Sequence, residues 1–307
     1  MRYDIIGDIH GQFDKMTALL FKLGYRKTHG AFRHPEGRKA IFVGDLVDRG
    51  PMQEEVLMNV RRMIDGGSGL AVMGNHEWNA IGFGTLRPNS TMHYRERNHN
   101  KRVHHVEFLE QFGEDSQLHK DWLEWIATLP VTLELPGIRV CHAWWAPESI
   151  EMIKKNTHST GALKEDFLWA SFDKSSPEFK AMEDVTKGEE IDLPDGYQYP
   201  DHEGTPRTTT RVRWWDPSAR SYRQSAMVPT KSIASLPDVH IPENVAIGYQ
   251  GDVPLFVGHY WLSGTPHVVT PKVGVLDFGA AASGRPLVAY RWDGEDTLSN
   301  DKLVWVG

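Results

Sequence analysis

The sequence predicts an α/β fold with parallel strands, on three observations. In the first 77 residues short apolar runs alternate with amphipathic stretches, in the order strand, helix, strand, helix, strand. Each of the three apolar runs ends in a glycine followed by an acid or an amide: Gly7-Asp8, Gly44-Asp45 and Gly74-Asn75. Further strand-like runs, "PLFVGH", "VGVLDFG", "PLVAYRW" and "KLVWV", follow residue 250.

Taken in order, "RYDII" is a strand that Gly7 breaks, and "FDKMTALLFKLG" carries apolar residues at helical spacing up to a stop at Gly24. "KAIFVGD" is a second buried strand, "MQEEVLMNVRRMI" a second helix that "GGSG" ends, and "LAVMGNHE" a third strand. Residues 78–128 read as a polar, helical insertion, with "VEFLEQFG" and "KDWLEWIATL" its best segments. "VTLELPGIRVCHAWW" is two strands around a Pro-Gly turn. From 150 to about 210 the chain is rich in Lys, Glu, Asp, Pro, Ser and Thr with little periodicity, which predicts a lid-like insertion. No repeat or linker separates two cores, so the expectation is a single domain over 1–307.

Bulk composition narrows the function classes. With 307 residues, 40% hydrophobic and 24% charged, the chain reads as a soluble globular protein with a sizeable core. A net charge of −7 speaks against nucleic acid and anionic membrane as partners. Cys141 is the single cysteine, so neither an intramolecular disulfide nor a multi-cysteine metal site is available, and a reducing compartment is expected. The opening "MRYDIIGD" lacks the apolar core of a secretory signal, and no run approaches the roughly 18 apolar residues that span a bilayer. The expected location is cytoplasmic.

Loops at the carboxyl ends of strands in an open α/β sheet share one crevice, so "GDIHG" (7–11), "GDLVDRG" (44–50) and "GNHE" (74–77) are expected to meet. Their carboxylates, imidazole and amide oxygen suit a divalent ion such as Mn²⁺, Fe²⁺ or Zn²⁺. Asp8 and His10 reach one ion if the backbone bends, as Gly7 and Gly11 permit. Asp45 can bridge two ions, Asn75 offers a neutral oxygen, and the strand-borne His142 and His259 complete a second position. Two ions about 3.5–4 Å apart clamp both oxygens of an in-line displacement. His76 is left to protonate a leaving oxygen, Asp48 to orient His76, and Arg49 to grip phosphate bidentately.

With these three motifs intact and in order, the chain resembles the calcineurin-like metallophosphoesterases, specifically the phosphoprotein phosphatase branch, whose signature is G-D-x-H-G, G-D-x-V-D-R-G and G-N-H-E. The resemblance runs from 5 to 80, resumes at "CHAWW" and "FVGHYW", and extends to "VLDFGAAASGRPLVAYRWDGE". It implies an αββα sandwich of two mixed sheets with a dimetal site at one edge. It also implies Asp8, His10, Asp45, Asn75, His142 and His259 as metal ligands, His76 as acid, Asp48 as its partner and Arg49 on the phosphate. Two places depart from the pattern. "HAWW" replaces the family's H-G or H-G-G, and "FLWASF" has Ser171 where the bacterial branch's L-W-x-R carries a second phosphate clamp. Arg213, or Arg211 beside it in "RVRWW", is the expected replacement.

The expected activity is hydrolysis of phosphate monoesters on proteins, at phospho-Ser/Thr or phospho-Tyr. The alternative is a hydrolase of small nucleotides, similar to the symmetrical diadenosine tetraphosphatases. A metal-stabilised binding module without catalysis stands third, since a scaffold does not require His76, Asp48 and Arg49. Tryptophans 144, 145, 214, 215 and 261 could stack on a nucleobase or phenyl ring, although packing is the commoner fate of Trp. The basic run "YRERNHNKRVHH" (94–105) reads as a solvated helical face, and Cys141 as a small buried hydrophobe.

Overall fold

The computed structural model describes residues 1–200 and 204–307. They divide into two compact units, residues 1–187 with 253–307, and residues 188–252. In the first unit the expected strands form two mixed sheets. The larger has the order Leu303–Val306, Leu287–Trp292, Tyr3–Ile6, Lys39–Phe42, Gly69–Ala71. Its last three strands run parallel, in register Ile6↔Phe42 and Phe42↔Ala71, while Tyr3–Ile6 pairs antiparallel with Leu287–Trp292. The smaller sheet has the order Val273–Val275, Leu255–Val257, Ile138–Cys141, Thr132–Leu135.

One core joins the sheets. Ile5, Ile41, Val43 and Val72 from the larger pack with Ile138, Val140 and Phe256 from the smaller, together with Leu276, Phe278 and Tyr290. A strand buried on both faces needs apolar side chains at every position, which is why these runs are continuous rather than alternating. The amphipathic helices Phe13–Lys22 and Gln53–Asp65 bury Met16, Leu19 and Leu20, and Val56, Leu57, Val60 and Met63. This is the expected sandwich of mixed sheets with helices outside. Among the described residues no helix is long and apolar enough to cross a membrane.

The stretch after residue 150 differs from expectation. Up to Lys187 it belongs to the first unit, as helices Pro147–Lys155, Glu165–Ala170 and Pro177–Lys187. Their buried residues fall three or four apart, as with Ile150 and Ile153, or Ala181, Met182 and Val185. That helical period is masked in the sequence by dense Lys and Glu on the outer faces. The separate unit begins at Gly188 and extends to Asp252, well past the expected end near 210. It is built on short antiparallel pairs, Glu190–Asp192 with Thr209–Arg211 among them, around Ile191, Leu193, Val212, Tyr222 and Leu236. Residues 201–203 of the expected lid lie outside the described residues.

Candidate dimetal phosphoesterase site

The three motifs and the two histidine strands converge in the first unit. "GDIHG" follows Tyr3–Ile6, "GDLVDRG" follows Lys39–Phe42, and Gly74 caps the helix Asn75–Gly84, so "GNHE" opens a helix rather than ending a strand. Glu77, which the sequence reading passed over, ties two of these loops together. Its carboxylate accepts the N–H groups of Gly74 (2.9 Å), Asp45 (2.8 Å), Leu46 (2.8 Å) and Val47 (3.1 Å). A carboxylate can satisfy four donors, and here it fixes the helix start against the "GDLVDRG" turn.

Six site residues other than glycine hold left-handed backbone: His10 (φ 46°), Asp45 (50°), Asp48 (71°), Arg49 (67°), His259 (69°) and Trp261 (45°). The expected bend between Asp8 and His10 therefore falls on His10 itself and on Gly11 (φ 64°). Such backbone is costly and persists only where its surroundings dictate it. Gly258 serves a different need, because a Cβ there would stand 1.9 Å from Asp8 Oδ1.

Asp8, His10, Asp45, Asn75 and His142 are buried. His10 Nδ1–H donates to Val47 O (2.8 Å), which leaves Nε2 bare, 3.5 Å from Asp45 Oδ2. His142 Nδ1–H donates to Val43 O (2.7 Å), which turns Nε2 toward Asp45 Oδ1 (3.3 Å) and Asn75 Oδ1 (3.1 Å). His259 Nδ1 lies 2.8 Å from the same Asn75 oxygen, and its backbone N–H donates to Asp8 Oδ2 (3.0 Å). The donor atoms form two groups that share Asp45: His10, Asp45 and His76, and Asp45, His142 and His259. Asp8 Oδ1 and His10 Nε2 are buried with no hydrogen-bond partner among the described residues. Bare imidazole nitrogens and carboxylate oxygens facing one another are what a divalent cation satisfies, so the residues fit a metal pair.

The electrostatics agree. Burial, with Arg49 and His76 nearby, pushes His10 down to about 3, so its imidazole stays neutral. Burial acts against a charged His142, but Asp45 and Asp8 outweigh it and hold that group up at about 10. Burial and the neighbouring Asp277 push Asp8 well above the carboxylate range. The metal-free cavity therefore takes up protons where cations would sit.

A pH dependence follows. A histidine must shed its proton to ligate, so if His142 is a ligand, metal binding between neutral pH and about 10 is expected to release that proton, with affinity rising roughly tenfold per pH unit. The same shift sets stability without metal. A histidine raised above its unfolded value stabilises fully below about 6.5 and loses that contribution as pH rises to about 10, and the raised Asp8 acts in the same direction. Melting temperature of chelator-treated protein is expected to fall across that window, and that of Mn²⁺-loaded protein to fall less. Parallel curves would count against a cation replacing the His142 proton.

Beside these candidate ligands, His76 Nδ1–H donates to Asp48 Oδ2 (2.6 Å), and its Nε2 lies 3.4 Å from Arg49 Nη2 and 3.9 Å from Asp45 Oδ2. The Arg49 guanidinium lies over Trp261, 4.6 Å from the ring centroid. The Trp261 backbone N–H donates to Asp277 Oδ2 (2.8 Å). A second imidazole also reaches Asp48, since His105 Nδ1 lies 2.8 Å from the same Oδ2.

Several expectations need correction. Of the five tryptophans, Trp261 stands beside Arg49, whereas Trp145, Trp214 and Trp215 are buried, the last two edge-to-face at 5.5 Å. The basic run 94–105 is helical only over His99–Val103 and is not simply solvated. Tyr94 stacks on Trp169 (4.4 Å), Arg97 pairs with Asp115 (2.7 Å), and His105 is buried. Ser171 is buried, accepts the Trp78 indole N–H (3.0 Å) and donates to Leu168 O (2.7 Å). That serine is a packing support for the helix that carries Asn75 and His76. Arg211 and Arg213 are half-buried in the second unit. Cys141 is buried as expected, and burial pushes its thiol up.

The sequence profile described as Calcineurin-like phosphoesterase matches residues 1–217. The chain belongs to this family. Over 76 residues the phosphoesterase is 51% identical to Bis(5'-nucleosyl)-tetraphosphatase PrpE (asymmetrical) of Bacillus subtilis (strain 168), and 47% identical to the protein of the same name from Halalkalibacterium halodurans. Each match covers 25% of this chain and 31% of the relative, so the phosphoesterase spans about a third of the length of these relatives. Two solved structures share its fold. One is a protein serine/threonine phosphatase from Saccharomyces cerevisiae, with TM-score 0.51 and 12% identity, covering 100% of this chain and 79% of that one. The other is a cold-active protein tyrosine phosphatase, with TM-score 0.50 and 17% identity, covering 96% and 77%.

Proposed function

We propose that this phosphoesterase hydrolyses phosphate monoesters on proteins, using two divalent ions held by Asp8, His10, Asp45, Asn75, His142 and His259. Mn²⁺ is the first choice and Fe or Zn the alternatives, on the mixed carboxylate, imidazole and amide donor set. Bound there, the ions supply Lewis-acid activation of water and of the phosphoryl oxygens. The observation that carries the reading is the placement of His76. Its Nδ1 is tied to Asp48 at 2.6 Å, while Nε2 lies between the phosphate-matching fork of Arg49 and the shared carboxylate of Asp45. From there Nε2–H is positioned to protonate a leaving oxygen, and Asp48 keeps the ring in the tautomer that this requires. Trp261 covers one face of the Arg49 guanidinium and leaves its N–H edges for phosphoryl oxygens. A reducing, cytoplasmic setting fits the lone buried thiol of Cys141.

A second reading, hydrolysis of small nucleotides such as dinucleoside polyphosphates, is favoured by the half-exposed Trp261 beside Arg49, which offers a base a stacking surface. The relatives' names point the same way, and to asymmetrical rather than symmetrical cleavage. Assay of Mn²⁺-loaded protein on p-nitrophenyl phosphate, on phosphopeptides and on dinucleoside polyphosphates separates the readings. Turnover of none of them would leave a metal-stabilised binding module.

Ser171 is committed to Trp78 and cannot hold an anion by charge, so the phosphate grip in this proposal rests on Arg49 and the ions.

A further inference from the structure

We propose that His105 is a positioning residue for the His76–Asp48 pair, an inference that rests on the hydrolytic reading above. Both Nδ1 atoms approach one oxygen, Asp48 Oδ2, at 2.6 Å from His76 and 2.8 Å from His105. A carboxylate oxygen only accepts, so both imidazoles are donors at Nδ1. His105 Nε2 is buried with no hydrogen-bond partner among the described residues. A second N–H there would be a buried donor with no acceptor, so the geometry makes His105 a fixed Nδ1–H donor to Asp48 rather than a second acid.

The other half of the carboxylate explains why a second donor matters. Asp48 Oδ1 has no hydrogen-bond partner among the described residues, so the orientation of the group rests on what holds Oδ2. With His76 alone on that oxygen, carboxylate and imidazole would swing together. His105 is 1% exposed, its ring lies 5.3 Å from that of Phe83, and its backbone N–H donates to Arg102 O (3.0 Å). It therefore holds Oδ2 from outside the helix that carries His76, with its ring packed on Phe83 of that helix. It also draws charge from Oδ2. Burial raises the proton affinity of Asp48, but His105 and His76 outweigh burial and keep it ionised. A carboxylate so held orients the imidazole without taking its proton.

The test uses His105→Phe, which keeps the ring and removes the donor, and His105→Gln, which restores an N–H. In Mn²⁺-loaded protein His105→Phe is expected to cut kcat on a simple alkyl phosphate about tenfold and on p-nitrophenyl phosphate less than about twofold, with KM and metal content unchanged. His105→Gln is expected to recover most of the loss. Equal losses on both substrates, or no recovery with Gln, would overturn the positioning role, because a purely structural histidine weakens every substrate alike. A second readout needs no turnover. Proton NMR of the metal-free protein is expected to show, among its slowly exchanging downfield imidazole N–H resonances, one that is lost in His105→Phe and another that is lost in His76→Asn. Both surviving in His105→Phe would refute the hydrogen bond itself. A wild type inactive on every substrate but showing both resonances would mean that the hydrolytic reading has failed, and the positioning role with it, while the hydrogen bond stands.

Discussion

Asp45→Asn is expected to lose metal and hydrolysis together, by about a thousandfold or more in kcat/KM, since several kcal/mol of transition-state stabilisation are at stake at about 1.4 kcal/mol per tenfold. Asp45 is the residue common to both donor groups. One oxygen faces His142 at 3.3 Å and also accepts the His76 backbone N–H (3.0 Å), and the other faces His10 at 3.5 Å. An amide at this position removes a negative charge from both donor groups, and its nitrogen has no lone pair to offer a cation. Substitution of Asn75, His142 or His259 weakens one position only, so each is expected to cost less. Metal stoichiometry by elemental analysis, alongside activity at saturating Mn²⁺, checks the ranking. If Asp45→Asn kept two ions per chain, the shared-carboxylate arrangement would be wrong.

The second large effect belongs to His76. His76→Asn is expected to slow hydrolysis of a simple alkyl phosphate by about 10²–10⁴-fold, the usual worth of a general acid. p-Nitrophenyl phosphate, whose leaving group is stable as the anion, should suffer far less. The two donor groups give this experiment a second use, because His76 Nε2 also lies near His10 and Asp45. If His76 were instead a ligand, the variant would lose metal and slow both substrates alike. The 2.6 Å bond of Nδ1 to Asp48 and the 3.4 Å approach of Nε2 to Arg49 favour the acid.

What could be read in the sequence was whatever a short range of residues determines. Each glycine-acid or glycine-amide pair at the end of an apolar run marked a loop at the carboxyl edge of the sheet. The six expected metal-ligand residues come together in one cluster, five of them buried and His259 half-buried. Glu77 was present in "GNHE", but its role depends on three N–H groups of the "GDLVDRG" turn some 30 residues earlier. His105 was hidden for a different reason. Its neighbours Lys101, Arg102 and His104 make the segment look like a charged surface, and only the packing of the Val106–Phe112 helix turns that one imidazole inward. The helices between 147 and 187 were obscured by their outer faces. Trp214 and Trp215 take the commoner fate of tryptophan and pack, which the sequence could not distinguish from lining a rim because a tryptophan pair reads the same in both places.

The order of strands in the larger sheet has a consequence for synthesis. Tyr3–Ile6 leaves the ribosome long before Leu287–Trp292, one of its two neighbours. His259, whose N–H fastens Asp8, is 251 residues away from it. Tyr3–Ile6 must therefore wait, unpaired on one edge, while the chain between the two strands is made, and pairing over so long a loop is slow. A nascent chain can fold its helices early, but it cannot assemble the ligand set until that late segment emerges. Catalytic competence and completion of the sheet thus arrive in one step, and half-made chains are a problem for chaperones rather than a source of stray hydrolysis.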